Sequence, residues 1–209
     1  MRAFIAIDLP EPIKAVISEQ QQALRRALST RQQRDQNTKW TRPDGIHLTL
    51  KFLGEISEKQ VAQIVDSLAA IGSFEPFALR VKGFGFFPNA HRPRVLWVGL
   101  EASESGPGVP AVAAGDDQDG HATPALAQLA DRVEQACESC SFAPETRAFS
   151  PHLTLARFKV PTPQPELLAL LEPQRELTLG QFEVSEFFLF ESKLSPQGAQ
   201  YRKVARFPR

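Results

Sequence analysis

The chain has no excess of either charge, no long apolar run and almost no cysteine, and each lack removes a class of protein. Lys and Arg total 24 and Asp and Glu total 24, so the formal net charge is zero. A protein that coats long nucleic acid carries a large basic excess, so any nucleic-acid contact here has to be small and local. No apolar stretch approaches the roughly 18 residues of a membrane span. The N-terminal MRAFIAIDLP holds a short apolar run closed by Asp8, too short for a secretory leader. Two cysteines and no such leader lead us to expect a reducing cytoplasm. What is present is ordinary for a globular protein: 42% hydrophobic and 23% charged residues, which excludes a chain disordered throughout. A length of 209 residues allows a real core without disulfide or metal staples, in one domain or two small lobes.

Periodicity then assigns the elements. RAFIAIDL reads as a buried strand. Ile13, Val16, Ile17, Leu24 and Leu28 recur at helical steps behind Pro10 and predict a helix of about five turns. The polar run 31–39 reads as a loop, and HLTLKFLG (47–54) alternates as a strand. Ser57 and Gln60 fit a capping box before Val61, Ile64, Val65 and Leu68, with Gly72 as the stop. Two strands, 77–88 and 94–101, follow. Residues 102–121 are rich in Gly and Pro and lack aromatics, which predicts a flexible insertion. Thr123 and Pro124 then cap a helix whose apolar face is Leu126, Leu129, Ala130, Val133, Cys137 and Cys140. A strand at 150–158, a short helix near 165–172 and two last strands, 181–194 and 200–207, complete the chain. The mixture of helices and meandering strands is α+β. The second half loosely echoes the first.

The strongest feature is a repeated tetrapeptide. His47-Leu48-Thr49-Leu50 recurs as His152-Leu153-Thr154-Leu155. In a strand, positions i and i+2 share a face and lie about 6.6 Å apart. His47 with Thr49, and His152 with Thr154, therefore point one way, while Leu48, Leu50, Leu153, Leu155 and Phe52 point into the core. If the halves pack about a pseudo-twofold axis, the polar faces meet in one cleft. An unperturbed imidazole titrates near 6.5. One histidine can be a neutral base while its partner is the protonated acid, the pair that in-line displacement at phosphorus needs. The hydroxyls can donate to the non-bridging oxygens, where charge builds in the transition state. No metal or cofactor is required if an arginine or lysine helps to neutralise that charge.

With these motifs the chain resembles the 2H phosphoesterases, a family with two HxTx motifs, and within it the bacterial RNA 2′,3′-cyclic phosphodiesterases, also called 2′–5′ RNA ligases. FIAIDLPEPIK, GIHLTLKFLGEI, FPNAHRPRVLWVGL, SPHLTLARF and FFLFESKLSPQGAQY carry the resemblance, and 102–121 is the main departure. The resemblance implies a single domain over 1–209 made of two intertwined, pseudo-symmetric lobes, with antiparallel sheets and outer helices around a central cleft. It implies that His47 is the proton donor and His152 the proton acceptor, with Thr49, Thr154 and Arg157 on the phosphate. Strict alternation puts Arg157 on the face opposite His152, so it reaches the cleft only if the strand ends or bulges there. The implied activity is hydrolysis of RNA or nucleotide 2′,3′-cyclic phosphate ends to a 2′-phosphate, with reversible 2′–5′ ligation. The implied partner is an RNA 3′ end and the expected state a monomer. The competing readings are a module that binds a nucleotide or RNA end without turning it over, and a metallohydrolase with His47 and His152 as ligands.

Other residues carry weaker signals. Phe4, Phe84, Phe86 and Phe87 are core candidates, any of which would stack on a base if it lined the cleft. His91, Arg92 and Arg94 form a small basic turn. Lys51 shares a strand face with His47 by strict alternation, and so is a candidate phosphate contact. His121 lies in the insertion. Cys137 and Cys140 match CxxC but fall on an apolar helix face and read as free thiols. Ser192 and Tyr201 read as a hydrogen-bonded closure of the last hairpin.

Overall fold

A computed structural model describes residues 1–29, 37–103, 123–195 and 198–208. Beyond Ser103 the expected insertion, with His121, lies outside the described residues. The elements run β1 (Arg2–Asp8), α1 (Glu11–Ser29), β2 (Thr38–Trp40), β3 (His47–Glu55), α2 (Glu58–Ala69), β4 (Phe77–Phe87), β5 (Val95–Ala102), α3 (Pro124–Ser139), β6 (His152–Phe158), α4 (Pro165–Leu171), β7 (Thr178–Val184), β8 (Phe187–Ser195) and β9 (Gly198–Phe207). The fold is α+β, as its sequence pattern predicts. Ser57 and Gln60 form the capping box that starts α2, and Thr123 accepts from the Leu126 amide at the start of α3. Two differences appear among the strands. Residues 38 and 39, expected in a loop, pair with β6 together with Trp40, and the run expected as one strand over 181–194 breaks between Val184 and Phe187 into β7 and β8. The break lets β7 pair with β4 while β8 pairs with β1 on the far side of the sheet.

All recorded strand pairs are antiparallel, and they form one curled sheet in the order β7-β4-β5-β6-β3-β1-β8-β9, with β2 paired to β6. That order has a pseudo-twofold centre between β6 and β3, where Leu48 pairs with Leu153. One half of the sheet takes β1 and β3 from the start of the chain and β8 and β9 from its end, so the halves interleave in sequence. Helices α1 and α4 pack together beside β7, while α2 and α3 pack together beside β9 and β3. No helix among the described residues is long and apolar enough to cross a membrane.

The four motif leucines lie under the sheet centre, Leu48 at 1% exposure, Leu50 at 8%, Leu153 and Leu155 at 0%. Each buried leucine contributes about 1.5–3 kcal/mol, and a slip of one residue would exchange the leucines for imidazole and hydroxyl groups. Register at the centre is therefore fixed by hydrophobic burial, and the polar face follows from it.

Candidate active site

Both HLTL strands carry the same irregularity. Along β3 the pairing with β1 slips between Lys51 and Thr49, leaving Leu50 as the extra residue. Along β6 the pairing with β5 slips between Ala156 and Thr154, leaving Leu155 extra. A β-bulge puts two residues opposite one and advances the alternation by a step. The consequence is visible in burial. His47 and Thr49 are half-buried and Phe52 is exposed, while Leu48, Leu50 and Lys51 are buried. His152, Thr154 and Arg157 follow the same pattern.

Two expectations change on this account. Lys51 is not on the face of His47: it is 6% exposed, pairs with Glu134 at 2.5 Å and donates to the Ala143 carbonyl at 2.8 Å. Phe52 is not in the core but 63% exposed. Arg157 stands in Phe52's equivalent place on the other strand, out of the core, and its positive charge acts on both imidazoles.

The imidazoles are held alike. His152 Nδ1 lies 2.8 Å from the carbonyl of Ser150, two residues earlier. A carbonyl only accepts, so Nδ1 carries the proton and Nε2 is left with its lone pair. The backbone of Gly45, also two residues earlier, acts on His47 in the same sense, favouring the charged ring. Ring packing completes each mount. Phe4 stacks on His47 at 4.6 Å between centroids and on Phe190 at 5.1 Å, and Tyr201 meets His47 edge-on at 5.1 Å. Phe87 meets His152 edge-on at 4.9 Å.

Burial pushes the His47 imidazole down to about 4, with the charges of Arg157 and His152 adding to the effect and the Gly45 bond and Asp8 opposing it. Burial also lowers His152, again with Arg157 adding and the Ser150 bond opposing. His47 is thus neutral at pH 7, and the surroundings of His152 favour its neutral form. Burial would raise the Asp8 carboxyl, but its bonds to Lys203, at 2.6 Å, and Lys14, at 2.9 Å, outweigh that and hold it below the usual range.

Among the weaker candidates, Phe4 and Phe87 touch the two histidines, whereas Phe84 and Phe86 pack against the core. The amides of His91 and Arg92 donate to the Asn89 side chain in an exposed turn. Cys137 and Cys140 are free thiols, and burial pushes the Cys137 thiol up to about 12, which removes its reactivity. Ser192 pairs with Tyr201 across the last hairpin, and the Tyr201 ring also reaches His47. Sequence reasoning missed Asp8, Phe190 and Gln21. Gln21 left a readable signal: it is a polar residue in the apolar stripe of α1, between Ile17 and Leu24, and it is 4% exposed.

The chain matches the LigT-like phosphoesterase profile over residues 7–97 and 119–201. An RNA 2′,3′-cyclic phosphodiesterase of Aeropyrum pernix is 37% identical over 77% of this chain and 80% of its own. One of Methanothermobacter thermautotrophicus is 29% identical over 99% of this chain and 98% of its own. The crystal structure of TT0787 of Thermus thermophilus is 27% identical and superposes with a TM-score of 0.70 over 99% of this chain and 97% of that one. Escherichia coli LigT complexed with 3′-AMP shares the fold, with a TM-score of 0.70 over 99% and 96% of the two chains at 23% identity. Two matched HLTL strands, the interleaved sheet around them and a profile match over most of the length have one reading: the chain belongs to the LigT-like phosphoesterase family.

Proposed function

We propose that the chain hydrolyses 2′,3′-cyclic phosphate at RNA or nucleotide 3′ ends to a 2′-phosphate, with His47 and His152 as the acid and base. The observation that carries this is the pairing of the two HLTL strands at Leu48–Leu153, with His152 Nδ1 tied to the Ser150 carbonyl and the charge of His152 acting on His47. The activity in the names of the relatives supports the substrate class.

In this reading the phosphate lies between the two imidazoles. His152 Nε2 takes a proton from water as the water oxygen bonds to phosphorus. The bond from phosphorus to the ribose 3′ oxygen breaks, and His47 protonates that oxygen. Thr49 and Thr154 donate to the non-bridging oxygens, and Arg157 neutralises the charge that builds there. Each positioned acid or base contributes about 10²–10⁴-fold. The surroundings of His47 alone keep it neutral at pH 7, so the bound phosphate anion is what draws a proton onto it. The exposed ring of Phe52, beside Phe4, which Tyr201 in turn meets edge-on, offers the nucleoside an apolar wall, and stacking a base there is worth about 1–3 kcal/mol. Run in the same direction with a 5′-hydroxyl in place of water, the steps make a 2′–5′ linkage; run backwards from that linkage, the 3′-hydroxyl attacks phosphorus and the 5′-hydroxyl leaves.

The test is product analysis on an oligoribonucleotide ending in a 2′,3′-cyclic phosphate, with and without EDTA. We expect a 2′-phosphate and an undiminished rate in chelator. A 3′-phosphate, a rate restored only by a divalent ion, or binding without turnover would each defeat the reading.

A further inference from the structure

The bulge in β6 is what puts Arg157 on the side of the sheet away from the core, and the core side of that bulge is clamped by one buried side chain. The carbonyl of Leu155, the extra residue, accepts two hydrogen bonds. One comes from the Thr41 amide at 2.8 Å, the other from Gln21 Nε2 at 2.9 Å. The second amide hydrogen of Gln21 goes to the Thr41 carbonyl at 3.0 Å. Gln21 thus ties α1, the segment after β2 and the bulge together with one amide group. The flanking core-facing residues of α1, Ile17 and Leu24, are 0% and 2% exposed, so an apolar residue at 21 would suit the helix better. A buried amide is retained at a cost unless both of its donors are used, and here both are.

Without the bulge, strict alternation would send Ala156 outward and Arg157 into a core whose nearby members Leu153, Leu155 and Ala156 are all 0% exposed. An unpaired guanidinium cannot stay there. Holding the Leu155 carbonyl toward α1 therefore holds Arg157 over the cleft. We propose that Gln21, which touches neither histidine, is a positioning residue that acts through the Leu155 bulge to keep the Arg157 guanidinium at the active site.

Catalytic readouts of this proposal rest on the hydrolytic function proposed above, so the first test does not use turnover. The ring resonances of His47 and His152 are followed against pH by NMR in wild type, Arg157→Ala and Gln21→Met. Among the described residues, the charged groups acting on His47 are Asp8, Arg157 and His152, and Arg157 also acts on His152. Removing Arg157 removes a positive charge, so both imidazoles should titrate at higher pH in R157A. Q21M should move both the same way, and the double variant should titrate like R157A. If Q21M leaves both titrations at the wild-type values, or if its effect adds in full to that of R157A, the proposal is overturned. Should Q21M fail to fold, Gln21→Asn, whose amide falls one methylene short of Leu155, carries the same test.

Turnover of the cyclic substrate is then measured in the same proteins. We expect kcat/KM to fall about tenfold or more in Q21M, short of the loss in R157A, with no further loss in the double variant. Losses that multiply would overturn the proposal. Absence of turnover in wild type would instead defeat the proposed function and leave the NMR result to decide the role of Gln21.

Discussion

Holding His47 neutral should make the folded protein acid-sensitive by a calculable amount. The imidazole titrates at about 4 in the folded chain against 6.5 when free. A group whose folded value is depressed leaves stability intact above its unfolded value. That stability is lost as pH falls toward the folded value, because the unfolded chain binds the proton first. Here the window is pH 6.5 to 4. At pH 4.5 the unfolded state is almost fully protonated at this site and the folded state mostly not, which is worth about 2–3 kcal/mol. That is a large share of the roughly 5–15 kcal/mol that holds a domain folded. Urea unfolding at pH 7.5 and pH 4.5, in wild type and in His47→Gln, isolates the effect. His152 and the carboxylates titrate in both proteins and cancel in the difference. Wild type should lose about 2–3 kcal/mol more than H47Q between the two pH values. Equal losses would show that His47 is not kept neutral by its surroundings, and the electrostatics assigned to the cleft would be wrong.

Three further outcomes follow from the bulges and the charges. Arg157→Ala should lower kcat/KM by about 10²–10³-fold, as loss of one preorganised donor does, and the pH–rate profile should move to higher pH; an unmoved profile in steady-state assays contradicts the placement of Arg157. Lys51→Met leaves Glu134, a quarter exposed, without its ion-pair partner and with only the Glu145 amide on its carboxylate, and should destabilise the fold by about 1–3 kcal/mol while activity per folded molecule stays at the wild-type level; a selective fall in activity would return Lys51 to the phosphate. Phe52→Ala should change the unfolding free energy by under about 0.5 kcal/mol, where Phe4→Ala should cost about 3–5 kcal/mol; comparable losses in thermal denaturation would put Phe52 back in the core.

Much of this was legible because burial enforces it. The HLTL leucines alternate with polar residues, so period two alone placed His47, Thr49, His152 and Thr154 on one face. The caps at Ser57 and Thr123 act within one turn of chain and were readable for the same reason. Alternation failed one residue later, at Lys51, Phe52 and Arg157, because a bulge adds a residue without leaving a mark in the pattern. Ala156 and Lys51 occupy matching buried positions, yet one is small and the other charged, and only the distant Glu134 explains the lysine. The division of 181–194 into β7 and β8 depends on partners at opposite ends of the sheet, which a local reading does not contain. Gln21 broke the apolar stripe of α1 in plain view, but its meaning required the Leu155 carbonyl beneath it.

Kinetic coupling between the two imidazoles reaches the heart of the account. His47→Ala, His152→Ala and the double variant are compared with wild type for kcat on one cyclic phosphate end at one pH. If the rings act as a unit on a single phosphorus atom, each single replacement should cost several orders of magnitude and the double one little more than the worse single. Losses that multiply, or a single variant that turns over like wild type, would mean that the two histidines do not work on the same bond.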